Sequence, residues 1–167
     1  MAKKRIVIAV YVENKYGVLT RVTSMFTRRG FNIDTLAVGE TEIPEYSRIT
    51  ISMSVDEIEQ KQIIDQLNKL YNVRKVEVID DEIGIRRELL LLKVKNNPET
   101  RSDVKDCVEA FRAKIVDYNA ESLCLELTGD TNKINAMIDN MKPFGIIELC
   151  RTGVVAIERG PEGILSK

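Results

Sequence analysis

Histidine is absent from this chain of 167 residues. That removes the commonest general acid–base, the commonest metal ligand and the one side chain that titrates near neutrality unperturbed, which lowers the prospects of catalysis. Aromatic residues are scarce, at 5%. RNA-binding domains of small α+β plan present aromatics on a sheet face, so this scarcity argues against that use. Charge of one sign is lacking as well: the net charge is −1 with both signs mixed along the chain. No global basic field is left to hold nucleic acid, and Lys3, Lys4 and Arg5 read as a flank to the first strand. No apolar run nears the ~20 residues that cross a bilayer; the run 89–92 is strand-sized. The short apolar stretch after the basic start meets Glu13 and Lys15 with no small-residue cleavage site, so a cytoplasmic location without membrane insertion is expected. Cysteines number three, Cys107, Cys124 and Cys150, widely spaced. They are expected to be reduced core residues on the apolar sides of their elements, not a disulfide framework or a metal site.

What is present is periodicity. Residues 5–14 are apolar at nearly every position from Ile6 to Val12, as in a central strand covered on both faces. Past Gly17, Val18, Leu19, Val22, Met25 and Phe26 recur at helical spacing, and Arg28, Arg29 and Gly30 end that helix. Residues 32–40 read as a strand. Residues 48–55 alternate cleanly, with Ser and Thr on the solvent side. Asp56 and Glu59 form a capping box for a helix whose stripe is Ile63, Ile64, Leu67, Leu70 and Tyr71, and 73–79 close the set as a strand. The order is strand, helix, strand, strand, helix, strand, the ferredoxin-like plan. It returns over 88–95, 101–113, 114–118, 122–128, 130–141 and 146–151, with 154–158 extending the sheet. The fold class expected is therefore α+β, two ferredoxin-like βαββαβ domains over 1–79 and 86–167 with a polar linker at 80–85. Each is small for a lone core, so mutual packing or oligomerisation is expected.

Chemistry concentrates between the first strand and the first helix. A helix start presents unpaired N–H groups and partial positive charge, which suit a carboxylate. Gly17 lets a ligand approach the main chain, Asn14 offers an amide at the strand end, and Asn32 offers another after the helix. These groups suffice to hold a free amino acid by both charged ends. They are also ordinary turn residues, and Asn32 equally satisfies its own backbone.

The run Val12-Glu13-Asn14, Gly17-Val18-Leu19-Thr20-Arg21-Val22, then Phe26 and Arg28-Arg29-Gly30-Phe31-Asn32-Ile33-Asp34-Thr35-Leu36 resembles the ACT domain of acetolactate synthase (acetohydroxyacid synthase) regulatory small subunits. The likeness continues through Ser47-Arg48-Ile49-Thr50-Ile51, Gln66-Leu67-Asn68-Lys69-Leu70 and Arg87-Glu88-Leu89, and ends on the run from Arg151-Thr152-Gly153 to Gly160. Tyr16 and Thr20 depart from the small serines common there. The resemblance covers essentially the whole chain and makes the first domain an ACT domain. It implies a non-catalytic subunit that activates a thiamine-diphosphate enzyme and confers feedback inhibition by valine or related branched-chain amino acids. It further implies a homodimer joined through the ACT domains, with effector sites at that interface. Asn14, Gly17, Val18 and Leu19 then form one wall, and Asn32 and Ile33 come from the partner chain. No cofactor is expected here; thiamine diphosphate, Mg and FAD belong to the catalytic partner.

Three rival readings remain. As an enzyme, the chain offers Cys107, Asp34 and Glu13, none with an activating neighbour in sequence. A nucleic-acid module meets the charge and aromatic objections above. An ACT-domain sensor of another pathway or of transcription fits the first domain, but not the match over 152–160.

Overall fold

The computed structural model describes residues 3–166. Six elements build the first set: β1 (Lys4–Glu13), α1 (Val18–Arg28), β2 (Thr35–Glu40), β3 (Tyr46–Val55), α2 (Glu57–Asn68) and β4 (Val73–Val78). The second set is β5 (Gly84–Lys95), α3 (Arg101–Phe111), β6 (Lys114–Tyr118), β7 (Ser122–Gly129), α4 (Thr131–Met141) and β8 (Ile146–Arg151), followed by β9 (Val155–Glu158). Strand order is β2-β3-β1-β4 in the first sheet and β6-β7-β5-β8 in the second, so the repeated plan is ferredoxin-like in both. Among the described residues, no helix is long and apolar enough to cross a membrane.

The first core lies between one face of the first sheet and its two helices. Ile6, Ile8, Val10 and Val12 of β1 meet Val18, Val22, Met25 and Phe26 of α1 and Ile63 and Leu67 of α2. The expected capping box holds α2: Glu59 N–H donates to the Asp56 carboxylate, and the Asp56 N–H donates to Glu59. The helix stops at Asn68, so Tyr71 is not part of its buried stripe but stands in solvent.

The other face of β1 also needs cover, and here the structure departs from the expected boundary at 86–167. The compact units are Arg86–Thr152, and the residues up to Ile85 together with those from Gly153 onward. Val154, Ala156 and Ile164 pack on Val7, Ala9 and Tyr11. The cause is burial: β1 carries a second apolar row with no helix over it, at roughly 25 cal/mol for each Å² removed from water. The polar anchors agree. Val154 N–H donates to Thr35 Oγ1 at 3.3 Å and Arg48 Nη2 to the Ala156 carbonyl at 2.5 Å. Thr50 and Ser52, expected on a solvent face, are consequently buried, and Ser52 Oγ lies 2.6 Å from Thr35 Oγ1. The linker is also shorter than expected: Asp80 accepts from the N–H groups of Glu82 and Ile83 to close a turn, and β5 begins at Gly84.

The second unit packs Leu90, Leu92 and Val94 of β5 with Leu123, Leu125 and Leu127 of β7 under Val104, Val108, Ile134 and Met137. Glu88 is buried there on Arg151 and Thr131. The cysteines are less buried than expected: Cys107 and Cys124 are half-buried and Cys150 is exposed. Burial, with Asp106 beside it, pushes the Cys107 thiol above its ordinary pKa.

Candidate functional site

The first strand ends in a knot of loops. Glu13 N–H donates to the Asn72 carbonyl at 2.9 Å, and Asn14 N–H to the Glu45 carbonyl at 2.7 Å. Both the α2–β4 turn and the β2–β3 loop are thereby fastened to the point where β1 stops. The chain then turns at Gly17, whose φ of 77° lies in the left-handed region that glycine enters without strain. Gly17 is the N-cap of α1 and brings no side-chain acceptor, so the first-turn N–H groups lack a partner of that kind. The Val18 N–H reaches only the Lys15 carbonyl, at a long 3.4 Å. A Cβ at position 17 meets nothing within 4 Å, so the ground over this turn is open. The Val18 side chain is buried in the core and pins the helix start, while Leu19 stands half in solvent. The result is a helix N-terminus without a side-chain cap, of the kind that accepts a carboxylate.

Asn14 is partly spoken for. Its Nδ2 donates to the Pro44 carbonyl at 3.1 Å and to Glu40 Oε1 at 3.2 Å, so its donors hold the β2–β3 loop rather than facing a ligand. The second unit contains the counterpart. Asn96 follows β5 as Asn14 follows β1; its N–H donates to the Glu121 carbonyl at 2.9 Å and its Nδ2 to the Asn119 carbonyl at 2.5 Å. There, however, the side-chain carbonyl accepts from Arg101 Nε at 2.7 Å. The Asn14 carbonyl has no such cation on it among the described residues. Its open function is as an acceptor.

Asn32 and Ile33 lie in the loop before β2, not in the strand, which starts at Thr35. Asn32 is exposed, and its Nδ2 makes a marginal 3.5 Å contact with Asp34 Oδ1. Ile33 packs partly against the first core. Both follow the far end of α1, whose 11 residues span about 16 Å at 1.5 Å per residue. Within one chain, therefore, the structure brings Asn14, Gly17, Val18 and Leu19 together but not Asn32 and Ile33 with them. β2 is one of the two edge strands of its sheet, the other being β4, and its Val38, Gly39 and Glu40 are exposed. An unpaired edge invites another strand.

Sequence reasoning missed one participant. Arg21 Nη1 donates to Asn72 Oδ1 at 2.9 Å, and Asn72 Nδ2 donates to Glu13 Oε2 at 2.6 Å, with Lys15 Nζ 3.2 Å from the same oxygen. The Asn72 amide, then Lys15, hold the Glu13 carboxyl below the usual carboxylate range. Nothing in the sequence distinguishes Asn72 from any turn residue, since its partners lie about 50 and 60 positions away. Tyr11, buried beneath the tail, donates to Thr41 Oγ1 at 2.7 Å, and burial raises its pKa.

Two ferredoxin-like units, the first with an uncapped strand–glycine–helix junction beside an open sheet edge, define the class of ACT-domain regulatory proteins. Residues 8–75 match the family described as AHAS small subunit-like ACT domain, and residues 87–160 match small subunit of acetolactate synthase. The acetolactate synthase small subunit of Mycobacterium bovis is 46% identical over 164 residues, 98% of each chain. A probable acetolactate synthase small subunit of Archaeoglobus fulgidus is 49% identical over 153 residues, covering 92% of this chain and 96% of that one. The crystal structure of the acetolactate synthase small subunit from Thermotoga maritima superposes with a TM-score of 0.88 at 37% identity, over 95% of this chain and 99% of the other. The chain belongs to the acetolactate synthase small-subunit family.

Proposed function

We propose that the chain activates a cytoplasmic, thiamine-diphosphate-dependent acetolactate synthase catalytic subunit and makes it subject to feedback inhibition by valine. Two copies join along β2. The first-turn N–H groups of α1 in one copy receive the effector carboxylate, and Asn32 and Ile33 of the other copy close the pocket. The Asn14 carbonyl takes the effector ammonium, as the Asn96 carbonyl takes the Arg101 guanidinium. Leu19 and Ile33 supply apolar lining. Valine as the effector is what the family resemblance implies; the split of the site between copies is supported by the roughly 16 Å helix that separates its halves in one chain. Mg and FAD, like thiamine diphosphate, are assigned to the catalytic subunit.

Regulation requires that the effector bind two arrangements of the dimer with different affinity; coupling of this sort is commonly ~1–3 kcal/mol. The observation that carries the reading is the uncapped helix start at Gly17 with open space over it. Gly17→Asp tests it. The site has room for the side chain, and Asp tolerates the left-handed region better than most residues. Its carboxylate lies near the effector's own, and two like charges ~4 Å apart in a partly exposed site repel by up to roughly 4 kcal/mol. Valine inhibition of the reconstituted enzyme is expected to vanish while activation persists. Normal inhibition of the variant by valine places the site elsewhere.

A further inference from the structure

Tyr16 and Tyr71 stand on the same loop-bearing end of the first unit, and both are exposed to a degree unusual for tyrosine: Tyr16 fully, Tyr71 to 87%. Their neighbours are not mobile tips. Tyr71 precedes Asn72, whose carbonyl and side chain both bind Glu13; Tyr16 precedes Gly17. Ile43, also exposed, precedes Pro44, whose carbonyl holds Asn14. Three loops fastened to one strand end thus display two aromatic rings and an isoleucine from fixed main chain.

The second unit serves as an internal control. The same end there is built from Asn97, Pro98, Asn119, Ala120 and Glu121, none of them a large exposed apolar residue. Phe144, which precedes Gly145 as Tyr71 precedes Asn72, packs partly on the second core, and the half-exposed Tyr118 has Arg101 and Lys105 at 5.8 and 5.9 Å from its ring centroid. No ring or cation stands over Tyr16 or Tyr71 among the described residues. The fold plan does not require two tyrosines at this end that are both almost fully exposed and without a ring or cation over them.

We infer that the surface bearing Tyr16, Ile43 and Tyr71 docks the catalytic large subunit. Rigidly presented tyrosines are typical anchors of a protein interface, giving large contact area at little entropic cost. The occupant is argued from three facts. A small subunit entails a large one, and this chain covers 98% of relatives so named. A second copy has a better seat at the edge strand β2, where a further strand can add to the sheet. The surface also adjoins Gly17, so a ligand on that turn alters the contact directly, with no relay needed. This last point rests on the effector reading; the docking surface itself does not.

Tyr16→Ser, Tyr71→Ser and the pair test it in the full chain. Calorimetry against the purified catalytic subunit should show affinity reduced at least tenfold by the pair, and less by each alone. Circular dichroism, dimer mass by light scattering and valine binding by the isolated chain should be unchanged. Affinity for the catalytic subunit within twofold of the parent overturns the inference. So does dissociation of the small-subunit dimer at unchanged affinity, which assigns the surface to a second copy. Loss of valine binding by the parent chain itself counts against the effector reading and leaves the docking result to be read independently.

Discussion

Glu13 shows how one carboxylate organises the site. The Asn72 amide and then Lys15 depress its pKa, so the ionised form is favoured by folding. The sign follows: this contribution is present above the unfolded carboxyl value and is lost as pH falls through the depressed folded value. Asn72→Ala removes the larger cause. Carbon-detected NMR titration should then move the Glu13 midpoint up toward the ordinary carboxylate range, and an unmoved midpoint refutes the assignment. At this scale the turn at Gly17 was legible, because a glycine between a strand and an amphipathic stripe marks a break in the chain. The contacts of Asn14 were not legible. Its acceptor is open, but its donors are engaged by Glu40 and Pro44, about 26 and 30 residues away, and no local pattern reports such a contact.

Among the elements, the tail from Gly153 onward matters most. Gly153 lies against the main chain of β2: a Cβ there is 2.6 Å from the Leu36 carbonyl oxygen and 2.7 Å from its carbon. Backbone does not yield as a flexible side chain does. Gly153→Ala should therefore lift the tail or shift β2, at a cost of about 1–3 kcal/mol, as for overpacking in a tight site. Hydrogen exchange reads this as faster exchange at Val154 and Ala156 and in β2; rates equal to the parent's would show that the tail is not held at this point. A strand over 154–158 was legible in the sequence, and so was the doubly apolar β1. Their pairing was not. Two complementary faces about 150 residues apart carry no label of mutual address, so the tail read more naturally as the end of the second domain.

At the scale of the molecule, the duplicated plan was the most legible feature, because hydrophobic period and turn residues report local structure well. The two copies differ at the strand end. Both first helices start without a side-chain cap, but the first unit leaves its Asn14 carbonyl open where the second fills the corresponding Asn96 carbonyl with Arg101. Comparing the copies separates what the fold requires from what the site adds. It also frames the central claim, that the effector pocket takes Gly17 from one chain and Asn32 from its partner. A hybrid dimer of one Gly17→Asp chain and one Asn32→Ala chain tests this most directly. If the pocket is shared, both lesions fall in one site and the other site is intact; calorimetric titration with valine should find one site per dimer at the parent affinity. If each pocket lies within a single chain, both sites are damaged. A hybrid with no site of parent affinity would then contradict the account.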